Sequence, residues 1–191
     1  MEKMNETNGE LNEKWSLWGS IKEYLPYLLI GVLVAFGLRV VIAPSVVVGQ
    51  SMEGSFQDGD YLLVNKLAYS DKKMPEYGDV VVLDSEEIEG NATFIKRVVG
   101  KAGDSLEFRA GNLHRNGKLV DEPYALEKME SEDMLVVVPE GEVFLLGDNR
   151  NHSMDSRIFG SVSVEDEVIG KVVTRLKPFD QSYRVDNLAS E

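Results

Sequence analysis

The chain has 191 residues, which is enough for one folded domain with an anchor and too few for two full enzymes. Its 33 acidic and 20 basic residues give a formal net charge of −13, so its surface repels phosphate backbones and nucleic acid is not expected as a partner. The lack of cysteine excludes disulfides, thiolate metal sites and cysteine nucleophiles, and two histidines are too few for a multi-histidine metal site. We therefore expect no metal and no cofactor.

One long apolar segment lies near the N-terminus. Residues 1–23 are polar and charged, whereas residues 24–42 are apolar except for Arg39 and would span roughly 28 Å as a helix, with Pro26 in its first turn. A retained anchor, a cleaved signal peptide and a buried core helix are the alternatives. The segment exceeds the apolar core of a typical signal peptide, and no A-x-A cleavage site with small flanking residues follows it. The pattern therefore favours a transmembrane anchor.

The distribution of basic residues predicts the orientation of this anchor. Three lysines, Lys3, Lys14 and Lys22, precede it, and no basic residue occurs between Arg39 and Lys66. Lysine and arginine near a span are retained in the cytoplasm. We therefore expect a single-pass protein of the cytoplasmic (plasma) membrane, with its N-terminal segment inside the cell and the bulk of the chain outside.

Residues 43–180 are predicted to form a mainly β domain built on an antiparallel sheet. Short β-branched runs alternate there with turn residues, and Asn116-Gly117 is typical of a hairpin turn. Residues 121–133 are polar and predict a connecting loop, and residues 181–191 predict a loose tail. The runs predicted as strands are 46–48, 61–64, 79–83, 92–99, 105–108, 135–138, 143–146 and 169–176.

Ser51 is the first candidate for chemistry. It follows a valine run and a Gly-Gln turn in the motif GQSM, about nine residues after the apolar segment ends. A serine beside a tight turn is usually structural, so the motif by itself is weak evidence for a nucleophile. Its place in the chain nevertheless puts it near the expected membrane surface.

Lys96 in FIKRVV is the second candidate. Strand alternation puts Phe94, Lys96 and Val98 on one face and Arg97 on the other, so the Lys96 amine would lie among apolar side chains. Burial would have to lower its pKa by about three units to make it a usable base at neutral pH. The alternative is an edge-strand lysine whose head group reaches water.

The third candidate is the run GDNRNHSMDSRIFG at residues 147–160. Asp155 and Arg157 are close enough for an ion pair, and Ser153 could hydrogen-bond a nearby amine; a polar loop without function is the alternative. His152 can be combined with Asp155 and Ser51 into a formal triad. We reject this triad because a loop histidine is usually solvated and neighbouring side chains on an extended backbone point apart.

The order of these segments along the chain resembles that of the type I signal peptidases. The segments are the anchor, GQSM, GDYLLVNK at 59–66, FIKRVVGKAGD at 94–104, NGKLVDEPY at 116–124 and the 147–160 run. The chain is most similar to the short bacterial members that have one N-terminal anchor. The resemblance implies a signal peptidase/LexA-like catalytic domain at 43–180. It also implies a membrane-bound serine endopeptidase that removes N-terminal signal peptides from secreted preproteins. The implied partners are these preproteins and the lipid bilayer, with the translocation machinery as a further candidate.

The resemblance also implies roles for individual residues. Ser51 matches the nucleophile and Lys96 the general base of a Ser/Lys dyad, while Ser153 matches the hydroxyl that orients the lysine amine. Asp155 and Arg157 match the ion pair that holds the loop against the site. The remaining matches in the supporting segment are Gly147, Asp148, Asn149 and Arg150. An apolar pocket would lower the pKa of Lys96, and the Ser51 backbone N–H would help to bind the oxyanion.

Substrate is expected to bind as an extended strand along residues 46–48 and the Lys96 strand, with small side chains in shallow apolar pockets. Lipid contact by Met52 and Phe56 is a further expectation. Two departures from the family pattern are Gly49, where some relatives have a serine oxyanion donor, and Gly54, where many have proline. The residues expected to contact substrate are Val47, Val48, Gln50, Met52 and Ile95.

Two other functions compete with this interpretation. Self-cleaving proteases related to the LexA repressors share a Ser-Met and Lys-Arg core, but they are cytosolic and lack the GDNR segment. An inactive β-rich binding module on a membrane would keep the same motifs as scaffold. The anchor and the 147–160 run favour the peptidase over the first alternative, and the intact candidate side chains favour it over the second.

Overall fold

The computed structural model of the chain describes residues 3–70, 72–85, 92–176 and 182–184, and the chain divides into two units between Val41 and Ile42. The first unit is one helix, α1 (Lys3–Val41). Its part Ile21–Val41 has a mean hydropathy of 2.0 and is long and apolar enough to cross a membrane. Because α1 begins far upstream of residue 24, Pro26 lies inside the helix and not in its first turn. Glutamate, lysine and leucine upstream of residue 24 favour this longer helix.

The second unit is built mainly from strands, with three short helical segments near the C-terminal end. The helical segments are a 3₁₀ turn (Arg150–His152), α2 (Ser156–Phe159) and α3 (Val164–Glu167). The strands are β1 (Ile42–Val46), β2 (Tyr61–Asn65), β3 (Val80–Ser85), β4 (Ala92–Lys101), β5 (Ser105–Arg109), β6 (Asn112–Arg115), β7 (Lys118–Leu119), β8 (Met134–Val137), β9 (Glu142–Leu146), β10 (Val162–Ser163), β11 (Val168–Leu176) and β12 (Ser182–Arg184).

These strands form two antiparallel sheets. The larger sheet has the order β1-β2-β11-β3-β4-β9-β10, with β12 also paired to β11, and the smaller sheet has the order β7-β6-β5-β8. The predicted hairpin turn at Asn116-Gly117 joins β6 to β7. The structure therefore confirms the prediction of a mainly β, antiparallel domain.

Strand β3 carries the core of the larger sheet on both of its faces. Val80 and Val82 belong to one buried cluster, whereas Val81 and Leu83 belong to another on the opposite face. A continuous apolar run is what a strand buried on both sides requires. A third cluster includes Phe108 of the smaller sheet and Phe144 of β9, whose ring centroids are 5.7 Å apart. Strand β4 lies between β3 and β9, so it is an inner strand of the larger sheet.

Two sequence predictions are wrong at the ends of the unit. The predicted strand 46–48 is displaced, because β1 covers Ile42–Val46 and Val47 already bonds to the turn before β2 through its N–H and the Asp60 carbonyl. The apolar residues at the end of the predicted anchor concealed the start of this strand. Part of the predicted loose tail pairs with β11 as β12, and residues 185–191 lie outside the described part of the chain.

The turn that follows residue 50 is fixed by the core. Met52 and Phe56 are each 1 % exposed and pack in the cluster that contains Val80 and Val82. The Phe56 N–H donates to the Met52 carbonyl at 2.8 Å, which closes the turn over these two side chains. Both side chains face the protein interior, so the prediction that they contact lipid is wrong.

The register of β4 brings the central candidate residues together. Strand β4 pairs with β3 along Ala92–Arg97, whereas its pairing with β9 begins only at Arg97, opposite Leu146. Within the described ranges, the β4 backbone just before Arg97 therefore has a strand partner on one side only. The chain leaves β9 at Gly147, so the 147–160 segment begins beside Lys96.

Candidate active site

Lys96 and Ser51 are in direct contact. The Lys96 Nζ donates to Ser51 Oγ at 2.9 Å and to the Ile95 carbonyl at 3.1 Å, and it lies 5.2 Å from the centroid of the Phe94 ring. Lys96 is 1 % exposed because β4 is an inner strand of the sheet. The alternative of an edge-strand lysine that reaches water is therefore wrong, and the expected shared face of Phe94 and Lys96 is confirmed.

Burial changes the protonation chemistry of Lys96. Desolvation lowers the pKa of its amine from 10.5 to about 8, against the opposing effect of the Asp155 carboxylate, which raises it. An amine with this pKa is neutral in about 10 % of molecules at pH 7 and in most molecules above pH 9. The neutral amine has a lone pair and is in hydrogen-bond contact with the Ser51 hydroxyl. The amine can therefore accept a proton from that hydroxyl.

The backbone around Ser51 is held by Asn149. The Asn149 N–H donates to the Ser51 carbonyl at 3.1 Å, and its Nδ2 donates to the Gln50 carbonyl at 3.1 Å. On the upstream side, the Gly49 N–H donates to Asp58 Oδ1 at 2.8 Å. The turn that presents Ser51 is thus bonded on both sides by polar groups.

Gly147 allows the close packing of this site. A Cβ atom built at Gly147 would overlap Ser153 Oγ and the Ser51 carbonyl oxygen. The position therefore has no room for a side chain, and Ser153 Oγ and the Ser51 backbone approach the same point. The Gly147 N–H donates to Asp155 Oδ2 at 3.1 Å. This bond connects the glycine to the ion pair between Asp155 and Arg157.

Asp155 and Arg157 form a buried ion pair. The Arg157 Nε donates to Asp155 Oδ1 at 2.8 Å and its Nη2 donates to Oδ2 at 2.9 Å. Arg157 also donates to the Arg150 carbonyl, and Asp155 caps α2 by accepting from the Arg157 N–H. Asp155 is fully buried, so its charge depends on these donors.

Ser153 and His152 do not join the Asp155 ion pair, and they differ in burial. The Ser153 Oγ is buried and has no hydrogen-bond partner among the described residues, so the structure does not show the implied bond to Lys96. The His152 side chain is 67 % exposed and its Nδ1 lies 3.3 Å from Asn149 Oδ1, which agrees with rejection of a histidine triad. No group of three or more acidic or histidine side chains in the described ranges is placed to hold a metal ion.

Asp148 was expected as a supporting residue, but its pairing with Arg97 and the role of Ser55 were not predicted. Arg97 donates through Nε and Nη2 to the two oxygens of Asp148 at 2.8 and 2.7 Å, and through Nη1 to the Gly78 carbonyl at 2.8 Å. Ser55, in the turn after Ser51, donates to Asp148 at 2.5 Å. Burial opposes the charge of Arg97, but the bonds to Asp148 outweigh it and its pKa is raised. Strand alternation places Arg97 on the other face of β4 from Lys96. Because a buried arginine needs a carboxylate, this was the signal for a buried acidic partner.

The 121–133 segment closes this network from the other side. The Tyr124 ring lies against both guanidinium groups, 4.2 Å from Arg97 and 5.9 Å from Arg150 at the ring centroid. Arg150 makes two bonds to Glu122, at 2.7 and 2.8 Å, and also donates to the Gly147 carbonyl at 2.9 Å. The segment is irregular as predicted, but it supports the site through Glu122 and Tyr124. Their occurrence in the NGKLVDEPY motif was the available signal.

The five residues expected to contact substrate differ in their exposure. Val48 is 85 % exposed and Gln50 is also exposed, so both can meet another molecule directly. The side chains of Val47, Met52 and Ile95 belong to one buried cluster. These three side chains are therefore not exposed on the surface of the protein.

Comparisons with known proteins give the family. The model of the signal peptidase family, peptidase S26, matches residues 21–177. Probable signal peptidase I-1 of Synechocystis sp. is 35 % identical over 85 % of this chain and 86 % of that protein. Signal peptidase IB of Staphylococcus aureus is 33 % identical over 84 % of this chain and 93 % of that protein.

A crystal structure of a signal peptidase I from Enterococcus faecalis V583 is 31 % identical, with a TM-score of 0.46 over 52 % of this chain and 97 % of that chain. The family match covers most of the chain, and the two curated relatives are matched over most of their own length. The chain therefore belongs to the signal peptidase family, peptidase S26, and is a hydrolase of the serine endopeptidase class.

Proposed function

We propose that this chain is a membrane-bound endopeptidase that cleaves N-terminal signal peptides from exported preproteins, with Ser51 as the nucleophile and Lys96 as the general base. One observation carries the proposal. The buried Lys96 amine lies 2.9 Å from the Ser51 hydroxyl, with a pKa lowered to about 8 by desolvation. A serine needs an adjacent base to become nucleophilic, and this amine is in place to act as one.

In the proposed reaction, neutral Lys96 accepts the proton of Ser51 Oγ as that oxygen bonds to the scissile carbonyl carbon. The carbonyl oxygen becomes an oxyanion, to which the Ser51 backbone N–H donates. The Lys96 ammonium then returns the proton to the leaving amine, and an acyl ester on Ser51 remains. Lys96 next takes a proton from water, whose oxygen attacks the ester carbon. As the ester bond breaks, Lys96 returns that proton to Ser51 Oγ, and the product acid and the free hydroxyl are formed.

The supporting residues have separate roles in this proposal. The Asp155 carboxylate raises the pKa of Lys96. Arg157 pairs with Asp155 and so weakens this effect on the Lys96 amine. Ser153 orients the Lys96 amine during the reaction. Its buried hydroxyl is uncommitted among the described residues and approaches Gly147 from the same space as the Ser51 carbonyl. Asp148, Asn149 and Arg150 hold the Ser51 turn and the Lys96 strand together.

The preprotein would bind as an extended strand beside the one-sided part of β4 and the exposed chain at Val48 and Gln50. Within the described ranges the β4 backbone there has a strand partner on one side only, and an open side is the requirement for strand addition. Val47, Met52 and Ile95 would form the apolar floor beneath the substrate. A floor close to the backbone favours small side chains near the cleaved bond.

The domain organisation and location belong to the same proposal: a cytoplasmic segment at 1–23, an anchor at 24–42 and an extracytoplasmic catalytic domain at 43–180, with whose strand β11 part of the 181–191 segment pairs. The apolar helical stretch and the lysines that precede it support a single span with its N-terminus inside. Lipid would contact the anchor, whereas Met52 and Phe56 are buried and do not contribute to that contact.

Loss of either dyad residue should abolish cleavage. We expect Ser51→Ala and Lys96→Met to lower kcat/KM by at least about 10³-fold, because the first removes the nucleophile and the second removes the base. The measurement is cleavage of a purified preprotein with a small-x-small site by the full chain in detergent. Folding is checked by circular dichroism.

Lys101→Met is the matched control, since Lys101 lies on the same strand and its amine pairs with Glu76 away from Ser51. This variant should retain activity. Normal cleavage by Lys96→Met would remove the dyad from the proposal. A well-folded wild-type chain that cleaves no preprotein would instead support the binding-module alternative.

Cleavage should depend on pH through Lys96. Its pKa is lowered to about 8, so the protonated, inactive form dominates below pH 8 and the neutral base dominates above it. The rate should therefore rise with pH, with kcat/KM increasing about tenfold between pH 7 and 9. A His152→Gln variant should keep the same midpoint. A midpoint near 6.5 that persists in Lys96→Met would contradict the proposal.

A methyl group at residue 147 should block the site. Gly147→Ala would force apart Ser153 and the Ser51 backbone, so we expect kcat/KM to fall at least about 100-fold. Gly141→Ala, at the other end of β9, is the control. Its Cβ meets nothing within 4 Å, and its positive φ of 79° should cost about 1 kcal/mol of stability without loss of activity. Equal losses of activity in both variants would show a general folding defect instead.

The orientation can be tested with single cysteines, because the chain has none of its own. Asn8→Cys and Lys118→Cys are expressed separately in intact bacteria and treated with a membrane-impermeant maleimide. We expect Lys118→Cys to react at once and Asn8→Cys to react only after permeabilisation. The opposite labelling pattern would show that the predicted orientation is reversed.

A further inference from the structure

Asn149 contacts both peptide groups that flank the Ser51 α-carbon. Its Nδ2 donates to the Gln50 carbonyl, which belongs to the peptide that ends in the Ser51 N–H. Its backbone N–H donates to the Ser51 carbonyl, which belongs to the following peptide. Each of these distances is 3.1 Å. One residue from the 147–160 segment therefore restrains the backbone on both sides of Ser51.

The Gln50 carbonyl accepts from two donors, the Glu53 N–H of the same turn at 3.0 Å and the Asn149 Nδ2 at 3.1 Å, and Asn149 supplies the one that comes from outside the turn. In a planar trans peptide the C=O and N–H bonds point in opposite directions, so a donor that holds the Gln50 oxygen also directs the Ser51 N–H away from itself. Among the described residues this N–H makes no hydrogen bond. A backbone donor that is oriented but unused is suited to an anion that is present only during the reaction.

Residue 49 cannot replace this donor. Gly49 has no hydroxyl group, and its N–H is already bonded to Asp58 Oδ1 at 2.8 Å. Residue 49 therefore offers the oxyanion neither a side-chain nor a backbone donor. In the proposed reaction the backbone donor from this turn is the Ser51 N–H, whose direction follows that of the Gln50–Ser51 peptide group.

Asn149 is itself held firmly. It is 3 % exposed and lies between Asp148 and Arg150, whose side chains pair with Arg97 and Glu122 respectively. The Asp148 carbonyl also accepts from the Leu126 N–H at 3.0 Å. A buried amide fixed on both sides by ion pairs has little freedom to leave the Gln50 carbonyl.

We propose that Asn149 is a positioning residue for catalysis, whose side-chain amide directs the Ser51 N–H at the developing oxyanion. This inference rests on the proposed function, because it presupposes that Ser51 attacks a carbonyl group. It assigns to Asn149 an effect on the transition state that is separate from substrate binding and from the protonation of Lys96.

The first test compares two asparagines of the same segment in the full chain. Asn149→Ala removes the bond to Gln50, whereas Asn151→Ala removes a bond of the same kind to the Lys128 carbonyl, 3.0 Å long. We expect Asn149→Ala to lower kcat about tenfold, with unchanged KM and an unchanged pH midpoint. Asn151→Ala should leave kcat within about twofold of wild type. A higher KM with normal kcat, a shifted midpoint, or equal losses in both variants would overturn the proposal.

Asn149→Asp provides the chemical control. An aspartate has nearly the shape of asparagine, but its ionised carboxylate cannot donate to the Gln50 carbonyl. It should be at least as impaired as Asn149→Ala. Wild-type kcat in Asn149→Asp would show that donation by the side chain is not needed.

The second test uses a peptide that ends in an alanine aldehyde, compared with the same peptide ending in a carboxamide. Ser51 Oγ adds to the aldehyde carbon, its proton passes to Lys96 and the aldehyde oxygen becomes an oxyanion, whereas the carboxamide binds unchanged. Asn149→Ala should weaken aldehyde inhibition by the same factor as kcat and leave carboxamide inhibition unaltered. Equal effects on both peptides would indicate a binding role and overturn the proposal.

The Asn149 variant and the Ser51 and Lys96 variants together distinguish loss of the positioning role from loss of the proposed function. If Ser51→Ala and Lys96→Met are inactive while Asn149→Ala retains full kcat, the dyad stands and Asn149 has no positioning role. If Ser51→Ala retains activity, the proposed function itself fails and the Asn149 inference fails with it.

Discussion

The burial of one lysine amine is the constraint on which the site depends. A lysine whose pKa falls from 10.5 to about 8 on folding costs about 3 kcal/mol of stability below pH 8 and nothing above pH 10.5. The apolar packing of β3 and β4 offsets that cost, because the strand that carries Lys96 lies inside the sheet. The same burial that opposes the ammonium form supplies a neutral amine beside a hydroxyl group.

The acidic groups near the site are paired with arginines, and one of these pairings helps to keep the pKa of Lys96 low. Asp155, Asp148 and Glu122 are each paired with an arginine, and the two aspartates are fully buried. The pairing of Asp155 with Arg157 leaves less negative charge to stabilise the Lys96 ammonium. Removal of one arginine would leave a carboxylate unpaired in the interior, which is costly for stability and also raises the pKa of a nearby lysine. The Asp155–Arg157 pair therefore serves both stability and the protonation state of Lys96.

Several features of this arrangement follow from local sequence pattern. Alternation along β4 places Phe94 and Lys96 on one face and Arg97 on the other, and the structure has them there. The apolar run in β3, the Asn116-Gly117 hairpin and the proximity of Asp155 to Arg157 were equally visible. Each of these depends on residues close together in the chain, for which backbone geometry limits the possibilities.

Other features could not be predicted because they join distant segments. Whether Met52 faces lipid or the core depends on which strands lie under the Ser51 turn. The carboxylate partner of Arg97 is 51 residues away, and the contact between Arg150 and Glu122 crosses 28 residues. Residue type shows that a buried arginine needs an acid, but not which acid, since any of the 33 acidic residues satisfies the chemistry.

The sequence by itself determined the family, the mainly β class, the apolar helix and the residue types available for a dyad without histidine or cysteine. Only the tertiary structure decided that Lys96 is buried, that its amine meets a hydroxyl 45 residues earlier, and that Asn149 restrains the peptide groups on both sides of Ser51. The reason is physical. Burial and hydrogen bonding between distant segments are set by strand order and register, which depend on how all the apolar faces pack at once.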